Sequence, residues 1–348
     1  MKRMLRFLPS LLLVTHIIAP VHAQDQLQNE CQIPPSVAAN RPDPDGPPTR
    51  VTVNIHVFDV ITINETSESF TADFGLLVQW HDPRLAASAR GGSLVDCVVR
   101  LSDIWHPYVD VLNGRQIRHL LDDIVRIDEQ GNVRYGQRLY GDLSSPLQLA
   151  EFPFDTQTLP INITSLNYGP QDVELVLNDS QIGLFARSSL AGWTLSPGEN
   201  AKTTLLVKTA ETELTIVSMS LVAQRETGYY FWTTFLPLTL IVLMASGVFF
   251  IDPSTLGPQI SMATGAVFSL IAFLLGLRIM LPRISYLTIA DKFIFGCTLL
   301  VFLALIEAVA TGHLHKLKYE KAARRTDRIA RVVYLVLFGI LAYSTIWR

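Results

Sequence analysis

The pattern of apolar and polar residues divides the chain into two parts. From Arg50 onward, short runs alternate between apolar and polar side chains with a period of two, as in Val51–Val57. Such runs, bounded by turn residues and repeated at regular intervals, predict an all-β sandwich over residues 50–227. Residues 24–49 form a polar lead-in whose end is rich in Pro, Gly and Asp, which predicts irregular structure.

The last third of the chain contains four apolar segments. The first three are long enough to cross a bilayer, since a membrane-spanning helix needs about 20 residues. The fourth is uncharged only over Val332–Trp347, and it reaches that length if it begins near Ile329. Residues 228–348 are therefore predicted to be a four-helix transmembrane bundle, with a connecting loop at 313–328 and spans at 228–251, 257–279, 290–312 and 329–347.

The composition agrees with a membrane protein and excludes two other classes. Hydrophobic residues make up 49% of the 348, and charged residues only 17%, whereas about 25% is usual in a soluble domain. A chain this apolar is not intrinsically disordered. Its net charge of −3 argues against a nucleic-acid-binding protein, so no nucleic-acid partner is expected.

The distribution of charge predicts the topology. Residues 24–227 carry 26 acidic and 14 basic side chains, a net charge of −12, whereas residues 313–331 carry seven Lys or Arg and two acids. Basic loops stay in the cytoplasm, so the loop after the third span is predicted to be cytoplasmic. The β-domain and the C-terminus then lie on the opposite side, in the periplasm or outside the cell.

The N-terminus supports the same topology. Residues 1–23 combine a basic start, an apolar core and the small-x-small sequence Val21-His22-Ala23, which are the features of a cleaved signal peptide. An uncleaved membrane anchor is the alternative, and the short apolar core disfavours it. Cys31 and Cys97 would both lie in an oxidising compartment, where they either pair or stay free.

Five local motifs narrow the class of protein. They are Trp80–Leu85, Ile104–Pro107, Glu151–Gln157, Arg225 before a span that contains Pro237, and Leu281–Thr288 between the second and third spans. In the order and spacing of these motifs, the chain resembles the pentameric ligand-gated ion channel family, or Cys-loop receptor superfamily, from about Arg50 to the C-terminus. The resemblance implies an immunoglobulin-like sandwich followed by four membrane helices, assembled as a homopentamer around a central pore.

Two departures from the animal members indicate the bacterial branch. In animal receptors two cysteines flank the Phe-Pro-x-Asp motif, and the corresponding positions here are Ser145 and Leu159. The loop after the third span is also short, about 16 residues, where animal receptors have a long insert. The resemblance to bacterial members implies a multi-pass protein of the cell inner membrane that lacks the Cys-loop disulfide.

The resemblance assigns the pore lining to the second span. The family's pore face follows helical steps of four and three, and five copies would stack these residues into rings. A narrow apolar ring can close a pore by dewetting, and Phe268 is the predicted central gate. Without the resemblance, the same stripe would be interpreted as packing against other helices. The predicted pore-lining residues are Ser261, Gly265, Phe268, Ala272, Leu275 and Ile279.

The sign of the permeating ions depends on opposing charges. Gly257–Gln259 at the inner mouth matches neither the glutamate ring of cation-selective relatives nor the Pro-Ala-Arg insertion of anion-selective ones. Possible charge rings are Asp252 at the inner end and Arg278 at the outer end, where Arg278 would favour anions. The acidic β-domain would concentrate cations above the pore. Monovalent cations are therefore the predicted ions, and anion selectivity is the alternative.

The resemblance also places the contacts that transmit opening at the membrane face of the β-domain. Arg225 lies at the junction and could pair with two carboxylates in a partly buried network, whose loss would be costly. An Arg that only extends toward the lipid head groups is the alternative. The predicted coupling residues are Glu65, Glu68, Phe154, Asp155, Arg225 and Pro282.

An agonist site is implied between subunits, where aromatic side chains hold an amine by cation–π contacts. The matching positions are Trp105, Tyr108 and Tyr168, with Tyr135 across the subunit interface. The late hairpin near 202–213 has no aromatic residue, so the amine cage is incomplete. A different small molecule, or protons acting on histidines of the β-domain, stays open as the stimulus.

Glu307 lies within the apolar third span. An acid inside a membrane is costly and is therefore a functional candidate, here either a proton sensor or a hydrogen-bonding partner of a neighbouring helix. A membrane-anchored periplasmic sensor that conducts no ions is the alternative to a channel. An enzyme is disfavoured, because the sequence has no nucleophile elbow, metal cluster or phosphate loop. No cofactor is expected, and membrane lipids are expected partners.

Overall fold

The computed structural model describes residues 31, 33–90, 97–178, 183–184, 189–207, 212–252, 254–277 and 284–346. The predicted signal peptide and three predicted site residues, Arg278, Ile279 and Pro282, lie outside these ranges. Within them, thirteen strands are followed by four long helices. The predicted order, a β-domain and then a helical bundle, is confirmed.

The β-domain is built from two sheets. The strands are β1 Thr49–Asn64, β2 Ser69–His81, β3 Cys97–Arg100, β4 Val109–Val111, β5 Arg118–His119, β6 Ile124–Ile127, β7 Asn132–Ser144, β8 Thr156–Ser165, β9 Val173–Leu177, β10 Gly183–Leu184, β11 Trp193–Pro197, β12 Ala201–Val207 and β13 Thr212–Arg225. In the described part of the chain, the first sheet has the order β10-β1-β2-β7-β6-β3 with β9 beside β1 and β5 beside β7, and the second has the order β11-β13-β8-β4 with β12 beside β13.

The core of the β-domain lies on the inward faces of these strands. In β7, every second residue from Val133 to Leu143 is buried, because successive side chains of a strand point to opposite faces. The largest fully buried side chains include Trp105, Phe70, Phe74 and Phe152. The predicted sandwich is confirmed, and one of its large core residues, Trp105, belongs to the predicted agonist site.

The N-terminal lead-in is more ordered than its composition predicts. Residues Ser36–Ala39 form a short helix, Val37 is buried, and the Val37 carbonyl accepts a hydrogen bond of 3.2 Å from the Trp105 backbone N–H. The Arg41 side chain donates to the carbonyls of Pro44, Gly46 and Pro47 at 2.7–2.9 Å. One buried guanidinium therefore helps to order a proline-rich turn, together with the backbone hydrogen bond from the Gly46 N–H to the Asp43 carbonyl.

A disulfide ties this lead-in to the first sheet. Cys31 and Cys97 form the bond, and Cys97 is buried at the start of β3. The sequence left both pairing and free thiols open, and the structure pairs them. Cys297, in contrast, is free and buried among the membrane helices.

Four helices follow the β-domain: α2 Gly228–Phe250, α3 Leu256–Leu277, α4 Ile289–Lys316 and α5 Glu320–Ile346. Within the described residues, these four are long and apolar enough to cross a membrane. A π-helical turn, Phe231–Phe235, lies just before Pro237 in α2, where the proline has no N–H to donate to the preceding turn. Thr288 caps α4, and its hydroxyl and the Asp291 carboxylate bond each other's backbone N–H.

The connection between α4 and α5 is shorter than the predicted loop at 313–328. Helix α4 continues to Lys316 and α5 begins at Glu320. Hydropathy identifies only the apolar part of a helix, whereas the basic segment before Ile329 is rich in good helix formers and buries Ala323 and Asp327 on one face. The fourth helix therefore starts nine residues before its predicted span, and its first turns are charged.

The disulfide should stabilise the β-domain. Replacing both Cys31 and Cys97 by Ser frees a loop of 66 residues in the unfolded chain, so we expect a loss of about 2–4 kcal/mol and a lower melting temperature of the purified full chain. A reductant should lower the melting temperature of the wild type and leave that of the double variant unchanged. Equal melting temperatures for the two proteins without reductant would contradict this expectation.

Candidate functional site

Arg225, the last residue of β13, forms a buried ion pair at the junction of the two domains. Its Nε donates to Asp155 Oδ1 at 2.8 Å and its Nη2 to Asp155 Oδ2 at 3.2 Å, a two-pronged contact. Its Nη1 donates to Glu65 Oε1 at 3.0 Å. Asp155 and Arg225 are almost completely buried, so the pair is held in a medium where charge–charge contacts are strong.

An aromatic cage surrounds the guanidinium. The central guanidinium carbon lies 4.0 Å from the ring centroid of Trp193, 4.7 Å from that of Phe152 and 5.8 Å from that of Tyr230. Trp193 is placed there by sheet pairing, since it lies opposite Arg225 in the register of β11 and β13. The rings exclude water and attract the cation through their faces. A guanidinium fits this site because it stacks flat while it donates in its own plane.

Hydrogen bonds stabilise the charges of this buried pair. Burial opposes the charge of Arg225, but the hydrogen bonds to Asp155 outweigh it and raise the pKa of Arg225. Asp155 Oδ2 also accepts a bond of 2.6 Å from Gln157 Nε2. The Gln157 side chain is held in turn by two hydrogen bonds of 2.9 Å to the backbone of Gln148. Its Oε1 accepts from the Gln148 N–H, and its Nε2 donates to the Gln148 carbonyl. These contacts favour the charged form of the Arg225 guanidinium over its neutral form.

The loop that carries Asp155 binds directly to the start of α4. The N–H groups of Ile289 and Ala290 donate to the carbonyls of Ala150 and Phe152 at 3.2 and 3.1 Å. The first N–H groups of a helix have no partner within the helix, so the loop supplies acceptors that α4 needs. The Tyr286 hydroxyl, just before α4, accepts from the Leu149 N–H at 3.0 Å. A displacement of the loop therefore has to move or release α4.

The same loop and Arg225 also contact α2. Phe154 stacks on Phe235 with ring centroids 6.0 Å apart, and Phe152 meets Tyr230 edge-on at 4.9 Å. The Tyr230 hydroxyl lies 3.2 Å from Arg225 Nη1. The junction thus ties the last strand of the β-domain and the Asp155 loop to two membrane helices.

The structure brings together three of the six predicted coupling residues in one network, Glu65, Asp155 and Arg225. Phe154 contacts α2 instead of the ion pair. Glu68 is exposed, and its backbone carbonyl accepts a bond of 2.9 Å from the Ser145 N–H, while its side chain is not a partner of Arg225. Pro282 lies outside the described residues.

Several residues of this junction were not found from the sequence. Trp193 and Tyr230 stand in no local motif with Arg225 or Asp155, and strand pairing and packing of α2 bring them together. Gln157 and Tyr286 belong to the motifs Glu151–Gln157 and Leu281–Thr288, but the sequence assigned neither of them a role at the junction. An apolar or amide residue carries no sign of its partner in a single sequence. The aromatic residues beside the first span gave the only hint, and they equally suit a membrane interface.

The predicted agonist residues form an aromatic cluster at the other end of the β-domain. Trp105 is 1% exposed and donates through Nε1 to the Tyr168 hydroxyl at 2.8 Å. Tyr108 is 45% exposed, and its ring centroid lies 6.2 Å from that of Tyr168 and 4.1 Å from that of His106. Trp105 is therefore a core residue that positions Tyr168, whereas Tyr108 is open to a ligand.

A cavity of about 280 Å³ lies beside Tyr108. Tyr135 lines it within the same chain. Its position across a subunit interface, which the resemblance implies, stays a prediction. The Tyr135 hydroxyl donates to Asp123 Oδ1 at 2.6 Å, and burial together with this carboxylate raises the pKa of Tyr135 to about 12. His106 also lines the cavity, and burial lowers its pKa despite hydrogen bonding to the backbone.

Helix α3 has one packed face and one open face. Ala263, Ala266 and Leu270 are buried against neighbouring helices. Five of the predicted pore-lining residues are exposed in the single chain, and Phe268, at 67%, is the most exposed large side chain of this helix. Those five are Ser261, Gly265, Phe268, Ala272 and Leu275; the sixth, Ile279, lies outside the described residues.

Asp252 and Glu307 lie toward the end of the bundle that is far from the β-domain. Asp252 is exposed, and hydrogen bonds from Ser254 hold its pKa below the ordinary value of an aspartate. Its Oδ2 lies 3.7 Å from Arg324 Nη2. Both carboxyl oxygens of Glu307 are buried. Arg278 lies outside the described residues.

The β-sandwich, the docked helices and the buried junction define a ligand-binding domain joined to a membrane bundle. Residues 37–227 match the neurotransmitter-gated ion-channel ligand binding domain, and residues 234–337 match the neurotransmitter-gated ion-channel transmembrane region. The two matches cover most of the chain, which therefore belongs to the neurotransmitter-gated ion-channel family. Its members are oligomeric multi-pass membrane proteins that bind small-molecule ligands, and they are ion channels, not enzymes.

Removing the buried cation should be costly. In Arg225→Gln, the Asp155 carboxylate stays buried without its partner, so we expect a loss on the order of 3 kcal/mol and a clearly lower melting temperature. Arg225→Lys should be more stable than Arg225→Gln but less stable than the wild type. An ammonium group cannot bond both carboxylate oxygens in one plane and stack on the aromatic rings at the same time. Arg138→Gln is the matched control, since it breaks the exposed pair with Asp73. Equal shifts for Arg225→Gln and the control would contradict the network.

His106 should make the β-domain sensitive to acid. Its pKa is lowered in the folded chain, so its contribution to stability is complete above the unfolded pKa of about 6.5 and is lost as the pH falls toward the folded value. The melting temperature of the wild type should therefore fall on acidification more steeply than that of His106→Gln. His119→Gln, at an exposed histidine, is the control. Parallel pH profiles for wild type and His106→Gln would contradict the assignment.

Proposed function

We propose that the chain is one subunit of a homopentameric, cation-selective, ligand-gated channel of the bacterial inner membrane. The observation that carries the proposal is the open face of α3. Large apolar side chains such as Phe268 and Leu275 point away from the chain's own bundle, opposite a face that is packed. Five copies arranged with these faces inward would enclose a pore with rings of Phe268 and Leu275.

Phe268 is the proposed gate. A ring of five phenyl groups makes a narrow apolar constriction, which excludes ions without a plug because water leaves it. Ser261 and Gly265 on the inner side are small, so the constriction is short. Outward rotation or tilt of α3 would widen it and let water and ions enter.

Cation selectivity is supported by charge on both sides of the gate. The segment 24–227 carries a net charge of −12, so five copies would concentrate cations above the pore. At the inner end, the hydrogen bonds from Ser254 keep Asp252 ionised. Arg278 would oppose the negative charge of the β-domain and of Asp252 if it faces the lumen. An anion-selective channel is therefore the second candidate.

A small-molecule agonist is proposed to bind beside Tyr108, with Tyr168 and the buried Trp105 as its support. The exposed ring of Tyr108 and the adjoining cavity offer an aromatic wall, and Asp123 and His106 give it polar groups. Movement of this region reaches the membrane through β13 and the Asp155 loop. The ion pair between Arg225 of β13 and Asp155 of the loop transmits the movement to α2 and α4.

The proposed topology places the β-domain and the C-terminus in the periplasm. The basic residues at the α4–α5 connection would then lie in the cytoplasm, as the positive-inside rule requires. The exposed apolar side chains of α4 and α5 would contact lipid, which supports membrane lipids as partners.

The gate can be tested without knowing the agonist. Phe268→Ala removes the apolar ring, so purified protein in planar bilayers should conduct without a stimulus. In a KCl gradient, the reversal potential of that current should lie toward the K⁺ equilibrium potential. Phe273→Ala is the matched control, since Phe273 lies on the same helix but packs on the bundle core.

The outcomes separate the candidate functions. Current in Phe268→Ala and none in Phe273→Ala supports the gate. A reversal potential toward the Cl⁻ equilibrium potential would replace the cation channel by an anion channel. Silence of Phe268→Ala in intact pentamers would contradict the pore and favour a sensor that conducts no ions.

A further inference from the structure

Unpartnered polar atoms concentrate at the inner end of the helix bundle. In the described part of the chain, seven buried side-chain nitrogen or oxygen atoms have no hydrogen-bond partner, and four of them belong to Glu307, Asp327 and Arg331. Buried polar groups are usually paired, because an unpaired one costs free energy. Such a concentration indicates that a group bound here is needed to complete the site.

Two carboxyl groups face each other in this place. Glu307 lies on α4 and Asp327 on α5, and each carboxyl group acts electrostatically on the other. Both oxygens of Glu307 are buried without a donor, and Asp327 is only 4% exposed, with Oδ1 also without a donor. Neither carboxylate can donate a hydrogen bond to the other unless one of them carries a proton.

The neighbouring charges do not neutralise this pair. Arg331, one turn beyond Asp327, is attracted to it, but its Nη2 donates to the Phe249 carbonyl at 2.6 Å. Its guanidinium also lies 4.1 Å from the ring centroid of Phe250. From the link between α2 and α3, Asp252 adds negative charge.

Other charged groups nearby act on Asp252. Arg324, on α5, lies 3.7 Å from its carboxylate, and His315, at the end of α4, also attracts it. On α3, the buried Gln259 at this end of the bundle is neutral, and its Nε2 donates to the Ile251 carbonyl at 3.0 Å. Two carboxyl groups therefore share the partial compensation of a single arginine.

We propose that Glu307 and Asp327 form a proton-binding site that joins α4 to α5. Two carboxylates this close in an apolar setting cannot both be ionised, whereas a carboxylic acid and a carboxylate share one proton in a short, strong hydrogen bond. The proton supplies the donor that the unpartnered oxygens lack. Arg331 balances the single remaining negative charge.

The site gives the bundle a pH-dependent link. When the shared proton is present, α5 is bonded to α4; when it is lost on alkalinisation, two buried negative charges repel each other across the helix interface. The stability of the α4–α5 contact is therefore complete at low pH and decreases as the pH rises. This direction is opposite to that of His106 in the β-domain.

Infrared difference spectroscopy tests the site directly. Purified wild-type protein in lipid nanodiscs should show, at neutral pH, the carbonyl band of a buried carboxylic acid, which disappears on alkalinisation. Glu307→Gln and Asp327→Asn should each remove the band, because an amide donates to the remaining carboxylate in place of the proton. Asp252→Asn, at an exposed carboxylate of the same end, should leave the band unchanged.

Thermal unfolding gives a second readout. Alkalinisation should lower the melting temperature of the wild type, and Glu307→Gln should flatten that dependence because its amide hydrogen bond does not titrate. Both readouts are independent of conduction, so they remain decisive if the protein proves not to be a channel.

Three results would overturn the proposal. The first is the absence of the acid band in wild type from neutral to acidic pH. The second is a band that persists unchanged in both Glu307→Gln and Asp327→Asn with intact pentamers. The third is a melting temperature that falls on addition of a chelator, reversed by Ca²⁺ or Mg²⁺, which would assign the site to a divalent cation.

Discussion

The buried Arg225 guanidinium is the contact on which the arrangement of the two domains depends. It ends the last strand of the sandwich, pairs with the loop that caps α4, and lies against an aromatic ring of α2. A buried charge is tolerated only while all its partners stay in place. Arg225 therefore helps to fix the position of the loop and, with it, the start of two membrane helices.

This constraint explains why the junction can transmit movement. Apolar surfaces slide past each other at small cost, whereas a two-pronged ion pair in a dry aromatic cage either keeps its geometry or loses several kcal/mol. The carbonyls of Ala150 and Phe152 extend the same constraint to the first N–H groups of α4. In the proposed channel, a shift of β13 would therefore move the helices together with the Asp155 loop.

Sequence patterns predicted the features that depend on periodicity and charge. Alternation in β7 and the apolar length of α2 to α4 agree with the structure. The resemblance placed Arg225, Asp155 and Glu65 at the junction and left open whether they pair; the structure pairs them. Trp193 could not be predicted, because only the register of β11 and β13 brings it to Arg225. The start of α5 was missed because hydropathy does not detect a charged helical turn. Asp327, the partner of Glu307, lies in that missed segment.

The central claim is that the open face of α3 lines an aqueous pore. Leu275→Cys in liposomes, treated with a charged thiol reagent that does not cross membranes, tests it by mass spectrometry. The native cysteines do not interfere, since Cys31 and Cys97 are bonded and Cys297 is buried. We expect labelling of Leu275→Cys and none of Phe295→Cys, an equally exposed position on α4 that would face lipid. An unlabelled Leu275→Cys beside a labelled Phe295→Cys would contradict the pore.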